Sequence, residues 1–168
     1  MSELRANVLA ALSDWTLKMD AKTKKTYQKI FGWAENSERP GGEFDWFAVD
    51  KDDSVAAFST AGFGPVPDVV FEIGLDAYLG LVDFIENALA HTSSLHSGGF
   101  TPYSERGIFV FDFRASESGQ YELASAPIDP IKFEQLEKLG IDRGVLPRFQ
   151  SKFAEMRTVI PEEHWTCR

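Results

Sequence analysis

The sequence predicts a single α+β domain over residues 1–168, in which two β-hairpins form a mixed or antiparallel sheet and helices pack on that sheet. Three observations support this prediction. Apolar side chains recur at helical spacing in the first 40 residues, two later segments carry aromatic and β-branched residues on either side of a short turn, and an apolar segment of helix length follows the first of them. A chain of 168 residues is also long enough to bury a hydrophobic core of its own.

The N-terminal part, residues 1–40, is predicted to be helical. Apolar residues recur at steps of three and four within Glu3–Leu17 and again within Thr23–Trp33. Pro40-Gly41-Gly42 interrupts this pattern. We therefore place a joint there, between the helical N-terminal part and a core of hairpins and helices over residues 41–168.

Both hairpins are predicted from strand-like segments that flank a turn. In the first, Phe44–Val49 and Val55–Thr60 lie on either side of the Asp-rich segment Asp50–Ser54. In the second, the strand-like segments are Gly107–Phe113 and Tyr121–Ala124. Together these four strands supply the predicted sheet.

The helices of the core are predicted from periodicity and from stop signals. Leu75–Leu89 is an apolar helix with a polar stripe at steps of three and four, formed by Asp76, Gly80, Asp83 and Asn87. This stripe predicts that the carboxylates of Asp76 and Asp83 lie on one exposed face. A shorter helix is expected over Ile131–Leu139, ending at Gly140.

Two segments are less regular. His91–Ser104 is rich in Ser, Gly and Thr and is predicted to be a long loop. The tail from Val145 to Trp165 is compatible with either a strand or a helix.

The negative charge is concentrated in one part of the chain. Residues 41–90 carry ten acidic side chains and one base, Lys51, a net charge of −9 that equals the charge of the whole chain. This field repels polyanions, so we expect no nucleic-acid binding. It favours a basic protein partner instead, because charge complementarity accelerates association.

Composition also bears on the compartment. The most apolar stretch, residues 77–90, is interrupted by charged and amide side chains, and the first 12 residues lack the pattern of a secretory signal. With one cysteine, Cys167, no disulfide forms within the chain. We therefore expect a cytoplasmic protein without a membrane segment.

Motifs for metals and catalysis are incomplete. Asp50–Ser54 begins like a calcium loop, but Val55 and Ala61 stand where such a loop needs glycine and glutamate. A formal zinc set lacks the spacing of a zinc finger and consists of His91, His96, His164 and Cys167. No nucleophile motif is present. We expect no cofactor and no enzymatic activity.

One alternative stays open. A small enzyme or ligand-binding domain would have its site within residues 91–114, where His96 lies in the predicted loop and Asp112 and Arg114 follow it in the second hairpin.

Asp45–Pro67 and Arg106–Pro127 resemble small, poorly characterised bacterial cytosolic proteins that serve as immunity partners in polymorphic toxin systems. The similarity rests on the runs Asp45-Trp46-Phe47-Ala48-Val49-Asp50 and Arg106-Gly107-Ile108-Phe109-Val110-Phe111-Asp112, with Pro65-Val66-Pro67 and Ala124-Ser125-Ala126-Pro127 after them. It implies a protein that neutralises a toxin by binding it.

We therefore predict a protein-binding inhibitor that meets a basic toxin domain through an acidic surface. Its contacts are expected from the Asp-rich turn, from the Gly62–Pro67 loop, where Phe63 stands between two glycines as an aromatic anchor, and from the exposed face of the apolar helix. The predicted partner-binding residues are Asp50, Asp52, Asp53, Phe63, Asp76 and Asp83. The sequence leaves the oligomeric state open.

Overall fold

A seven-stranded mixed sheet is the centre of the fold. The structure, a computed structural model, describes residues 19–36, 42–87, 89, 101–114, 119–138, 141, 143–160 and 165–166. The predicted helix Glu3–Leu17, the expected stop at Gly140 and most of His91–Ser104 lie outside these residues.

The described helices are α1 (Ala21–Glu35), α2 (Val69–Glu72), α3 (Leu75–Asn87), α4 (Thr101–Ser104) and α5 (Phe133–Glu137), with 3-10 helices at Arg143–Val145 and Phe153–Glu155. The described strands are β1 (Asp45–Val49), β2 (Val55–Ser59), β3 (Phe109–Phe113), β4 (Tyr121–Ser125), β5 (Arg148–Phe149), β6 (Thr158–Val159) and β7 (Trp165–Thr166).

The strand order is β6-β4-β3-β2-β1-β5-β7. Strands β1 and β2 form one antiparallel hairpin and β3 and β4 form another, while β2 and β3 pair in parallel and so join the two hairpins. A parallel pair needs a crossover connection, which here contains α2, α3 and α4. The predicted α+β class, with two hairpins in a mixed sheet, is confirmed.

One face of the sheet carries a ladder of stacked aromatic rings. Residues paired across neighbouring strands point to the same face, and the register pairs Trp46 with Phe58 and Phe58 with Phe111. The rings of Trp46 and Phe58 lie 4.1 Å apart and those of Phe58 and Phe111 lie 4.9 Å apart, both nearly parallel. Phe149 of β5 extends the ladder, and Phe153 packs on it from a 3-10 helix.

The other face packs against helices. Phe47 of β1 contacts the ring of Tyr103 in α4, and the hydroxyl of Tyr78 in α3 donates to the backbone carbonyl of Asp45. Helix α1 begins at an N-cap, Asp20, and its one fully buried residue, Phe31, packs against Tyr78. These contacts hold the helices beside the end of the sheet where β1 starts.

Helix α3 corrects one prediction. Gly80 and Asp83 are buried, so the predicted exposed stripe exists only at its ends, Asp76 and Asn87. A helix that is apolar on most of its surface is covered on most sides. Burial of Asp83, which is 0% exposed, is made possible by partners such as the Asn87 side-chain amide, which donates to Oδ1 at 2.9 Å.

The structure describes part of each of the two less regular segments. The last four residues of the predicted loop, Thr101–Ser104, are the short helix α4. The described part of the tail contains two-residue strands at both edges of the sheet rather than one long element. None of the described helices combines the length and the apolar character that crossing a membrane requires.

Candidate functional site

The Asp-rich turn between β1 and β2 is tied together by Asp50. Its Oδ1 accepts the backbone N–H groups of Asp52 and Ser54 at 2.9 and 2.8 Å, and its Oδ2 accepts the N–H of Phe153 at 2.9 Å. Asp50 is 1% exposed. It therefore holds the turn and the following 3-10 helix in place, and it does not lie on the surface where we predicted it.

The other two acids of this turn are paired with bases from distant parts of the chain. Asp52 contacts Lys152 at 2.8 Å, and Asp53 contacts Arg143 and Arg148 at 2.8 and 2.9 Å. Hydrogen bonding to Lys152 lowers the pKa of Asp52, although this pair is exposed. The turn is therefore locally neutralised, and it is a poor acidic surface for a partner.

The turn and Phe63 also lie at opposite ends of the first hairpin. The turn closes the hairpin after β1, whereas Phe63 follows the last residue of β2. The five residues of β2 span roughly 13 Å. The predicted binding residues therefore do not form one surface.

At the Phe63 end, the strand register aligns a row of polar side chains. Asp45 of β1 pairs with Ser59 of β2, Ser59 pairs with Asp112 of β3, and Asp112 pairs with Glu122 of β4. Partners across strands share a face, so the four side chains follow one line, about 14 Å long at a strand spacing of about 4.8 Å. We call this set the acidic row.

Two charged neighbours border the acidic row. Glu43, which is exposed and precedes β1, accepts the Ser59 hydroxyl proton at 2.6 Å. Arg114 lies 3.5 Å from Asp112 and 3.9 Å from Glu122. Partial burial raises the pKa of Asp112, and the Arg114 guanidinium opposes this shift. Three carboxylates of the row and Glu43 outnumber one guanidinium, so this end of the sheet is acidic.

Phe63 lies on an ordered loop at the same end of the sheet as the acidic row, and the loop packs on Tyr121, whose hydroxyl donates to the carbonyl of Pro65 at 2.9 Å. Its side chain is 61% exposed, the most exposed large apolar side chain of the described residues. The N–H groups of Phe63 and Gly64 both donate to the carbonyl of Thr60, at 2.8 and 2.7 Å. Ala61 has a φ of +46°, a left-handed conformation that non-glycine residues rarely adopt. The loop therefore presents the ring on a constrained backbone.

The two acids predicted to share an exposed face of the helix differ in burial. Asp76 is exposed in the first turn of α3, whose Tyr78 reaches the carbonyl of Asp45, so this turn lies near the acidic row. Asp83 is buried and takes no part in a surface. Of the six predicted binding residues, Phe63 and Asp76 thus lie at the row end of the sheet.

Asp45 is the most perturbed carboxylate of the row. Burial raises its pKa to about 6, and the hydrogen bond from the Tyr103 hydroxyl, 2.8 Å from Oδ2, lowers it in part. Tyr103 belongs to the 91–114 region that we considered as an alternative site. No motif in the sequence marks Asp45 as a functional residue.

The formal zinc set of the sequence cannot be compared with the structure. His91, His96, His164 and Cys167 lie outside the described residues. Within the described part of the chain, no three side chains of His, Cys, Asp or Glu come together as metal ligands.

Comparisons with protein-family models, with curated proteins and with solved structures found no match to this chain.

Proposed function

We propose that this chain is a protein-binding inhibitor of the immunity type, which neutralises a basic toxin domain by direct contact through Phe63 and the acidic row. One observation carries the proposal. The strand register aligns carboxylates from three strands at one end of the sheet, and the same end carries an aromatic side chain that is 61% exposed.

The two parts of this surface have different physical roles. A large aromatic side chain in a partner's pocket supplies affinity, and affinity is greatest when few conformations are lost on binding. The backbone bonds of the Phe63 loop meet this condition. The acidic row supplies long-range attraction, which accelerates encounter with a basic surface.

The net charge of the chain supports a basic partner. The protein carries −9 overall, while the acids of the Asp50–Asp53 turn are bound by their own capping and ion-pair contacts. At the opposite end of the sheet, Glu43 is exposed and the side chain of Glu122 is 37% exposed, so these two carboxylates face a partner most directly.

The aromatic contact is tested by a matched pair of variants. Phe63→Ser removes the exposed ring, and Ile128→Ser removes the other exposed large apolar side chain of the described residues, which is 50% exposed. Ile128 follows β4 at the end of the sheet opposite Phe63, so it serves as the control.

Each variant is used for affinity capture from native cells and for co-expression with the protein it retains. We expect wild type and Ile128→Ser to retain one basic protein and to suppress its toxicity, and Phe63→Ser to bind it at least tenfold more weakly and to lose protection. Equal protection by both serine variants would remove Phe63 from the interface. A retained protein that is harmless when expressed alone would contradict the inhibitor function.

The acidic row is tested through association kinetics. Glu43→Gln and Glu122→Gln each remove one charge beside or within the row, whereas Glu134→Gln removes an exposed charge from α5, next to the Asp-rich turn. We expect the first two to slow association several-fold at low salt and to flatten its salt dependence, with no change for Glu134→Gln. The same slowing in all three would mean that only the total charge matters.

A further inference from the structure

A polar cleft opens beside the start of β1. Its volume is about 570 Å³, which lies within the range of small-molecule binding sites. Its walls come from α1, from the segment that leads into β1, and from α3. The side chains that matter below are Asp20, Lys22, Tyr27, Glu43, Asp45 and Tyr78.

Two of the carboxylates in this cleft are already engaged by the fold. Asp20 accepts the N–H groups of Lys22 and Thr23 at 2.8 and 3.0 Å and so caps α1. Glu43 accepts the hydroxyl proton of Ser59. A ligand that bound through Asp20 would compete with the start of the helix.

Asp45 differs, because one of its oxygens lacks a donor. Its Oδ2 accepts from Tyr103, but its Oδ1 is buried and receives no hydrogen bond from any described residue. Ser59, the cross-strand partner, lies close enough to lower the pKa of Asp45, but it has a single hydroxyl proton, and its hydrogen bond at 2.6 Å is to Glu43. A buried carboxylate oxygen without a donor is costly, so this atom marks a place where a donor is missing.

The surroundings of Asp45 favour a positively charged donor. Two carboxylates, that of Glu43 in the segment before β1 and that of Glu86 in α3, raise the pKa of Asp45. Tyr27 and Tyr78 form an aromatic wall, with ring centroids 6.5 Å apart and an edge-on arrangement. Aromatic faces and carboxylates both attract cations.

The hydroxyl groups of this wall are directed at acceptors of the protein itself. Tyr27 donates to Glu86 at 2.8 Å, and Tyr78 donates to the carbonyl of Asp45 at 2.8 Å. Their protons are therefore committed, and their lone pairs remain as acceptors. An anion would meet carboxylates here with one cation, Lys22, in the lining.

We propose that this cleft binds an organic cation, an alkylammonium or guanidinium group, whose N–H groups donate to the Asp45 carboxylate beside Tyr27 and Tyr78. Asp45 lines the cleft, so a donor that enters the cleft reaches its carboxylate. The cation comes either from a free small amine or from a lysine or arginine side chain of another protein. The inference does not depend on the inhibitor function.

The first test uses defined small probes and two-dimensional NMR titration of the full chain at pH 7.5. Butylammonium and butylguanidinium are compared with butanol, which is neutral, and butyrate, which is an anion. We expect saturable shifts with the two cations, centred on the amides of residues 20–30 and 43–45, and none with butanol or butyrate. The proposal is overturned if butanol binds as well as the cations do. It is also overturned if butylammonium, butylguanidinium and the lysine peptide described below all fail to bind.

The second test assigns the binding to Asp45. Asp45→Asn keeps an acceptor for Tyr103 and removes the charge, while Glu134→Gln removes a charge from α5 as the control. We expect the cation affinity to fall at least tenfold in Asp45→Asn and to be unchanged in Glu134→Gln. In the wild type it should weaken as the pH falls below 6. Tyr27→Leu, which removes the aromatic wall, replaces Asp45→Asn if that variant does not fold.

A peptide distinguishes the two sources of the cation. A blocked pentapeptide with one central lysine is compared with butylammonium. Binding of the peptide at least tenfold more tightly than the amine assigns the cleft to a protein side chain, and the reverse order assigns it to a free amine; both results support the proposal.

Discussion

Replacing Asp45 with asparagine is expected to stabilise the protein at neutral pH. Burial raises the pKa of Asp45 to about 6, whereas its ordinary value is 3.8. At about 1.4 kcal/mol for each pH unit of difference, ionising this carboxylate costs the folded state about 3 kcal/mol relative to the unfolded chain. Asparagine does not ionise, and its carbonyl still accepts the Tyr103 hydroxyl.

The pH dependence gives the prediction its sign. The pKa is higher in the folded state, so between pH 3.8 and about 6 the folded protein keeps a proton that the unfolded chain has lost. The proton on Asp45 therefore stabilises the folded wild type at low pH. This stabilisation decreases as the pH rises from 3.8 to about 6, and it is absent above that window. The advantage of Asp45→Asn over the wild type should grow by about 3 kcal/mol between pH 4 and pH 7.

Urea unfolding of both proteins at pH 4, 5, 6, 7 and 8 measures this difference, because all other titrating groups are shared. In thermal unfolding, the melting temperature of Asp45→Asn minus that of the wild type should be about 6–12 °C larger at pH 7 than at pH 4. Glu134→Gln, an exposed change, should track the wild type at every pH. A difference that is constant with pH, or that grows towards acid, would refute the assignment of a buried, perturbed carboxylate.

Three further changes test the turn and the Phe63 loop. Asp50→Asn should lower the free energy of unfolding in urea by about 1–3 kcal/mol, because an amide nitrogen then faces the N–H of Phe153. An unchanged urea midpoint would contradict the structural role of the Asp50 carboxylate. Asp53→Asn tolerates the left-handed φ of +62° but loses two charged hydrogen bonds, at a cost of about 1–3 kcal/mol. Because the pKa of Asp53 is lowered in the folded protein, this cost should start to shrink as the pH falls below 3.8, where the unfolded chain takes up a proton, and should be lost once the pH passes the lower pKa of the folded state. Gly64→Ala places a Cβ 2.5 Å from the Tyr121 hydroxyl oxygen, so it should cost about 1–3 kcal/mol of stability. In a double-mutant cycle, Tyr121→Phe should partly restore that stability, whereas additive effects of the two changes would exclude this contact.

Local patterns predicted most of the described elements. Both hairpins follow from strand-forming residues around polar turns, and the helix at Leu75–Asn87 begins where periodicity placed it. These signals act over a few residues, so they are visible in the sequence. The exposure of Phe63 was also predictable, because two glycines and two prolines surround it.

The site depended on long-range contacts that the sequence does not reveal. The acidic row requires the parallel register of β2 and β3, which pairs Ser59 with Asp112. The turn looked acidic because the bases that neutralise it, such as Arg148, lie about a hundred positions away. Asp83 followed a polar periodicity, and only the packing around α3 shows that it is buried. A hairpin register set by the turn would have paired Asp45 with Ser59, and this was the one available signal for Asp45.

The parallel pairing of β2 with β3 also bears on how the chain is made. Ala56 pairs with Phe109, 53 positions later, and closing a loop of that length costs roughly 3.5 kcal/mol of chain entropy. The first hairpin closes over a short turn and so forms early, with the edge of β2 lacking its neighbour. At a synthesis rate of about 5–20 residues per second, that edge waits roughly 3–10 s for β3. During this interval the newly made hairpin offers unpaired backbone groups to other chains, so this is the stage of synthesis at which the chain is most prone to aggregate.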